Sequence, residues 1–407
     1  MLNASCCIVG GGPAGIVAGY LLARSGVDVI VIEKHADFFR DFRGDTIHPS
    51  TLRLIDELGH LGEFLAIPHT ELHVLDARFG DRSIPVADFR HVPGRSKFLA
   101  IMPQWDFLKF CAERANRYPT FRLLMETEAT DLVSDGERVV GIRAKTKEGP
   151  LEIRAGLVIA ADGRSSILRD RAGLEVIDTG APIDVLWMRL SKHAGDPAEA
   201  FGNVGTGGLL VTIDRMEYFQ CAMIIRKGGY EEVRGAGLPA LRARVASLAS
   251  FLHDRVDELR TWDDVKLLTV KVDHLRTWYR AGLLCIGDAA HAMSPIGGVG
   301  VNLAIQDAVA TSNLLAAALL RGAPSPRRLS AVQRRRAFPA RLIQAGQVAI
   351  ADRLLRPLLA SKKAVRAPAL LYAFTFFPWL RRIPAYIVGI GFRPEHVRTT
   401  ERSPAGT

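Results

Sequence analysis

Cysteine is scarce in this chain and scattered. Its five residues, Cys6, Cys7, Cys111, Cys221 and Cys285, form no CxxC pair and have no zinc-type histidine spacing beside them. That excludes a zinc finger and a dithiol redox centre, and no metal site is expected. No uncharged run is long enough to cross a bilayer. A strand-turn motif begins almost directly after Met1, which leaves no room for a signal peptide. Reduced thiols in a cytoplasmic protein are the simplest account. Arginine-rich blocks and aromatic RNA-binding motifs are also missing, so the net charge of +10 is not read as a nucleic-acid signal. An anionic ligand or an acidic membrane surface would meet that charge equally well.

What is present is a glycine turn at the start of an α/β pattern. Ser5 to Val9 is a short apolar run that ends in Gly10-Gly11-Gly12. Pro13 to Arg24 reads as a helix and Val27 to Ile32 as a second strand, ending on Glu33 and Lys34. In the segment Gly10-x-Gly12-Pro13-Ala14-Gly15, glycine permits the tight turn and the approach of main chain to a pyrophosphate. The helix N-terminus offers its free N–H groups to the phosphates, and Glu33 is placed to accept from a ribose diol. Gly44 to Leu58 is expected to be helical, Gln104 to Asn116 likewise, and Asp135-Gly136 to turn a hairpin.

Two further strand-end turns follow. One is Asp162-Gly163-Arg164-Ser165-Ser166, with Arg169 after it. The other is Gly287-Asp288-Ala289-Ala290-His291, running on through Pro295, Gly298, Gly300, Val301 and Asn302 to Asp307. Taken singly each is an ordinary Asp-Gly turn. In this order and spacing they predict one FAD, with Asp288 on the ribityl chain and Gly298 and Gly300 against the flat ring.

The three motifs together resemble the class A FAD-dependent aromatic monooxygenases, the para-hydroxybenzoate hydroxylase and ubiquinone-biosynthesis hydroxylase type. The resemblance runs from Ser5 to about Leu320. It implies an α/β fold: a Rossmann-like FAD domain (1–70, 98–175 and 275–320), an interleaved substrate-binding sheet (71–97 and 176–274) and a C-terminal helical region (321–407). It implies that NADPH or NADH reduces the flavin and that O2 then forms a C4a-hydroperoxide, which oxygenates an apolar, aromatic substrate. By the same resemblance Arg43 contacts the FAD linker, and Gln104 takes a place where many members have arginine.

No second GxGxxG is present for a nicotinamide coenzyme, which argues against two-Rossmann disulfide reductases. The Trp-x-Trp-x-Ile-Pro element of flavin-dependent halogenases is also missing. A prenyl-chain reductase or epoxidase of the same superfamily remains the nearest alternative, and a non-catalytic flavin-binding protein the alternative from another class. For a proton-withdrawing base the residue types offer His48, His291, Tyr218 and Tyr230. His48 follows the Arg43 segment, where a packing role is as natural as a catalytic one, so no base is assigned. Beyond Arg321 the chain combines Arg334-Arg335-Arg336, Lys362-Lys363 and Arg381-Arg382 with Phe374, Phe376, Phe377 and Trp379. Such a mix suits either a peripheral contact with an anionic membrane or a helical cap with its basic face in water.

Overall fold

A computed structural model describes residues 1–39, 46–80, 82–197, 202–361, 363 and 367–402. Five parallel strands form its centre: β1 (Leu2–Val9), β2 (Val29–Ile32), β3 (Phe121–Leu124), β4 (Gly149–Ala160) and β5 (Leu283–Cys285). Their order across the sheet is 3-2-1-4-5, every pairing parallel. This is one half of a doubly wound nucleotide-binding sheet, whose ligand crevice lies outside the carboxyl ends of the strands. A sheet covered on both faces needs continuous apolar runs, and Cys6–Val9, Val29–Ile32 and Leu157–Ala160 are all buried. The hairpin Glu128–Asp135/Arg138–Thr146 extends the sheet antiparallel from β4, and its turn residue Gly136 takes the left-handed backbone conformation.

Around this centre pack helices α1 (Pro13–Arg24), α2 (Pro49–Glu57) and α3 (Gln104–Ala115). A second sheet of seven strands draws on two distant stretches of chain. Val74–Phe79 and Arg82–Asp88 join Gly202–Gly205, Gly208–Asp214, Tyr218–Arg226, Ile183–Ser191 and Lys266–Leu268. One face of it, with Leu186, Phe219 and Met223, packs on α4 (Leu238–Leu248). The opposite face presents Trp187, Val211 and Ile213 towards Phe89 and Val388. The chain continues through α5 (Gly300–Leu319), α6 (Pro326–Ile350), α7 (Ala369–Phe376) and α8 (Arg382–Gly389). Among the described residues no helix is long and apolar enough to cross a membrane.

Two expectations about local structure need correction. The helix foreseen from Gly44 begins only at Pro49, which takes the first helical position; Thr46–Ile47 pairs as a short strand with Leu99–Ile101 instead. Proline disfavours helical backbone in the residue before it, and His48 is accordingly extended. The C-terminal region is also not helical to its end, since Pro394 to Arg402 form no helix.

All five cysteines are free and buried. Burial pushes the Cys7 and Cys221 thiols up to about 12 and raises Cys6, Cys111 and Cys285 as well. The thiolate is the reactive form. A disulfide-exchange reagent at neutral pH should therefore titrate none of the five in the native protein and all five in denaturant. Rapid reaction of any thiol in the native state would contradict their placement.

Candidate flavin site

The three turns are held together at the carboxyl ends of β1, β4 and β5, which are neighbours in the sheet. Gly10 takes a φ of 107°, and a side chain there would strike the Ala161 carbonyl at the end of β4. A side chain on Gly15 would run into the Gly10 carbonyl, so only glycine lets α1 start this close to β1. Gly287, with φ 60°, lies against Ala14 of α1 and Ala304 of α5, whose Cβ atoms would be 3.1 and 3.3 Å from an added Cβ. Arg169 joins the second turn to the third, donating to the carbonyls of Arg164 at 2.8 Å and Ala289 at 3.5 Å and pairing with Asp273 at 3.3 Å. On the outer side the Arg164 guanidinium lies 3.7 Å from the Asp288 carboxylate.

Several features of this junction suit FAD. Nothing lies within 4 Å of a Cβ placed on Gly12, so the first turn is open where a pyrophosphate would approach. Helix α1 has no side-chain cap and no acidic residue in its first turn, which leaves its N–H groups for an anion. Glu33 accepts from the backbone N–H of Gly11 at 2.9 Å and of His35 at 3.0 Å, fixing the turn and its own orientation. Its place at the end of β2, beside the first turn, suits a ribose diol. One oxygen of Asp162, Oδ1, is buried without a hydrogen-bond partner, while Oδ2 accepts from Leu168 N–H at 3.4 Å. Burial raises the Asp162 carboxyl, partly opposed by its bond with Ser166. An unsatisfied buried acceptor beside an open glycine turn fits a hydroxyl-rich ligand.

The remaining predicted positions fall as follows. Gln104 is buried at the first turn of α3, directly after Pro103. Lys34 is exposed beyond β2. Arg43 lies outside the described residues. Pro295 leads into the short turn Ile296–Gly298, in which Gly297 and Gly298 both have positive φ, and Gly300 opens α5 with no side-chain cap on that helix. Val301 is half-buried against the core. Asn302 is buried, and its Oδ1 accepts from the Ser50 and Thr51 hydroxyls at 2.9 and 2.7 Å, pinning α5 to α2.

His48 is fully buried with both ring nitrogens turned to backbone: Nδ1 is 2.7 Å from the Val388 carbonyl and Nε2 is 3.0 Å from that of Gly298. Burial lowers its pKa, and the two carbonyls oppose that. The ring braces the glycine turn against α8. Tyr218 stacks under the Arg189 guanidinium at 3.8 Å, and Tyr230 packs edge-on to Trp262.

Sequence reasoning carried the third motif through His291 to Asp307 but missed what α6 adds behind it. Asp307, fully buried, accepts from Gly287 N–H at 3.1 Å, lies 2.5 Å from His291 Nε2 and pairs with Arg336 of α6 at 2.9 Å. Arg336 in turn faces Glu395 at 3.5 Å. Also on α6, Gln347 Nε2 donates to the Ser294 and Ile296 carbonyls, and Gln344 Nε2 to those of Asp273 and Ala292. Two glutamines one turn apart on a basic helix were the only available signal, and a weak one.

Comparison with known proteins gives the family. The family model described as an FAD binding domain matches residues 3–346. The 6-methylpretetramide 4-monooxygenase of Streptomyces rimosus is 34% identical over 336 residues, covering 81% of this chain and 79% of that protein. The chain belongs to the FAD-dependent monooxygenase family. Two solved structures share the fold. The anhydrotetracycline hydroxylase of Streptomyces rimosus has a TM-score of 0.75 at 21% identity, covering 95% of this chain and 76% of its own. A probable FAD-dependent monooxygenase from Pseudomonas aeruginosa has a TM-score of 0.73 at 22%, covering 88% and 98%. As a member of this family the protein is an FAD-dependent oxidoreductase.

Proposed function

We propose that this monooxygenase hydroxylates an apolar, aromatic substrate with electrons from NADPH or NADH. One atom of O2 converts a substrate C–H to C–OH and the other leaves as water, NAD(P)H and a proton supplying the reducing equivalents. The flavin, when bound, provides the redox chemistry. The chain's own residues do the rest. The α1 N-terminus and Gly12 receive the pyrophosphate, Glu33 the ribose, and Asp162 and Asp288 the hydroxyl-bearing linker. Gly297 and Gly298 keep a side-chain-free turn for the ring, braced through His48.

The observation that carries the reading is the meeting of that turn with an apolar sheet face. An added Cβ on Gly297 would lie 4.0 Å from Val388, which packs with Trp187, Val211 and Ile213. Such a wall favours a flat apolar ligand and excludes water. No general base is assigned to His48, a fully buried ring whose Nδ1 faces the Val388 carbonyl and whose Nε2 lies between the Gly298 carbonyl and the Thr46 hydroxyl. The reading also takes in a peripheral contact with an anionic membrane through the basic C-terminal region, supported by its charge and exposed rings.

The test is NADPH and NADH oxidation by the purified protein, with 6-methylpretetramide heading a panel of phenols, quinone precursors and polyketides, and with hydrogen peroxide measured alongside. Coupled hydroxylation of a panel member is expected. Anaerobic reduction of a prenyl double bond would replace the reading by a reductase, and stable FAD that no nicotinamide reduces would replace it by a flavin-binding protein. Asp288→Ala should weaken FAD binding by about tenfold or more, through loss of a charge-assisted hydrogen bond. Flavin retained at wild-type affinity would remove Asp288 from the site.

A further inference from the structure

We propose that the C-terminal hairpin α7–α8 docks on an anionic lipid bilayer, seating Phe376, Phe377, Trp379 and Tyr386 among the headgroups. The argument starts from charge. Between Arg353 and Arg393 the sequence has eight Lys or Arg residues and no Asp or Glu; Arg381 and Arg382 lie within the element itself, and Arg356 is paired with Asp352 just before the stretch. Polybasic segments of this size are attracted to anionic lipid surfaces.

The second observation is how exposed the large apolar side chains are. Phe376 is 75% exposed, Trp379 59%, Phe377 54% and Ile383 52%, with Tyr386 and Arg382 exposed beside them. Single exposed apolar residues are ordinary, but five on one short hairpin are not. Their exposure does not come from loose packing. On the inner side Ala385 and Ile390 are buried, and a Cβ on Gly389 would come within 3.1 Å of Phe89. Ala385, Gly389 and Ile390 thus hold the element to the fold while its exposed rings meet solvent.

Aromatic rings flanked by arginine are the composition of the membrane–water interface. Each helix has eight residues and spans about 12 Å, so the element can lie in the headgroup layer but not cross it. A second copy of the chain fits this face less well, because two such basic segments would repel. The proposal rests on the monooxygenase reading in one respect only, the role of the bound surface. Helix α8 is also the wall that offers Val388 to the apolar face beside the glycine turn, and its Val388 carbonyl is held by His48. Docking through α7–α8 would place the substrate site next to the lipid phase, where an apolar substrate concentrates.

The test is flotation of the full-length, FAD-loaded enzyme with phosphatidylcholine vesicles, with and without phosphatidylglycerol, at low and high salt. Flotation only with the anionic vesicles and release by salt are expected. The double variant Phe376→Ser/Trp379→Ser should lose about tenfold or more of its partition, while keeping its FAD content and flavin spectrum. The proposal is overturned by absence of flotation at low salt, by equal binding to phosphatidylcholine alone, or by a variant that floats like the parent. It is equally overturned if the substitutions dissociate an oligomer in sedimentation without changing flotation, which would make a second copy the occupant. Failure of the monooxygenase reading would show as uncoupled or absent NAD(P)H oxidation and would leave the flotation result unchanged.

Discussion

Replacing Gly12 by valine should abolish FAD binding while leaving the apoprotein folded. The residue has φ −75° and ψ −175°, a backbone any residue adopts, and no atom lies within 4 Å of an added Cβ. Folding stability should therefore change by no more than about 0.5 kcal/mol, as for an uninvolved surface position. The same branched side chain would occupy the approach of the pyrophosphate to the α1 N-terminus. A loss of at least about a hundredfold in FAD affinity, roughly 3 kcal/mol, is expected. Flavin fluorescence titration of the apoprotein measures it, with thermal unfolding as the control. Stoichiometric FAD in the variant would remove the first turn from the cofactor site. Gly15→Ala is the contrasting case: its methyl group would run into the Gly10 carbonyl, so affinity and stability should fall together.

Asp307→Asn should have the largest effect on stability. Its carboxylate is fully buried between His291, Arg336 and the Gly287 N–H. Removing one partner of a buried ion pair leaves the other charge uncompensated, which destabilises by about 3–5 kcal/mol. Glu395, 3.5 Å from Arg336, should keep the loss near the lower end. The consequence for pH follows from the same site. Burial alone would raise the Asp307 carboxyl, but the His291 ring and the Arg336 guanidinium outweigh it and hold the carboxyl below the usual carboxylate range. A depressed folded pKa contributes stability above the unfolded value and loses it as pH falls through the folded one. Denaturant midpoints should therefore drop on acidification in the parent, and less steeply in Asp307→Asn. Equal acid sensitivity of the two proteins would place the decisive carboxylate elsewhere.

These two residues also mark what a reader of the sequence can and cannot see. Gly10 to Gly15, Asp162-Gly163 and Gly287-Asp288 are legible because each is a strand end, where an apolar run stops at a residue permitting an abrupt turn. A parallel sheet requires such punctuation at every carboxyl edge. The α/β class, α1, α3 and the Asp135-Gly136 hairpin were readable for the same reason: local periodicity and turn chemistry agree there. The start of α2 was not, because Thr46-Ile47 completes a small sheet with Leu99–Ile101 and tertiary pairing overrode the helical pattern. Arg336 was misread for a different reason. In a run of three arginines it looks solvent-facing, yet its partners lie 29 residues before it and 59 after it in sequence. His48 illustrates a third limit. Its residue type invites a catalytic role, and only the carbonyls of Gly298 and Val388 reveal a bracing one.

The long reach of Arg336 has a consequence for how the enzyme is made. The third turn follows the first by some 270 residues, and the buried charge that steadies it needs α6 and then Glu395. The support of the third turn is therefore complete only once α6 and the segment around Glu395 have been made and packed against it. Tight flavin retention should accordingly require the segment around Glu395, and a chain cut short of it should lose the cofactor more readily than the parent.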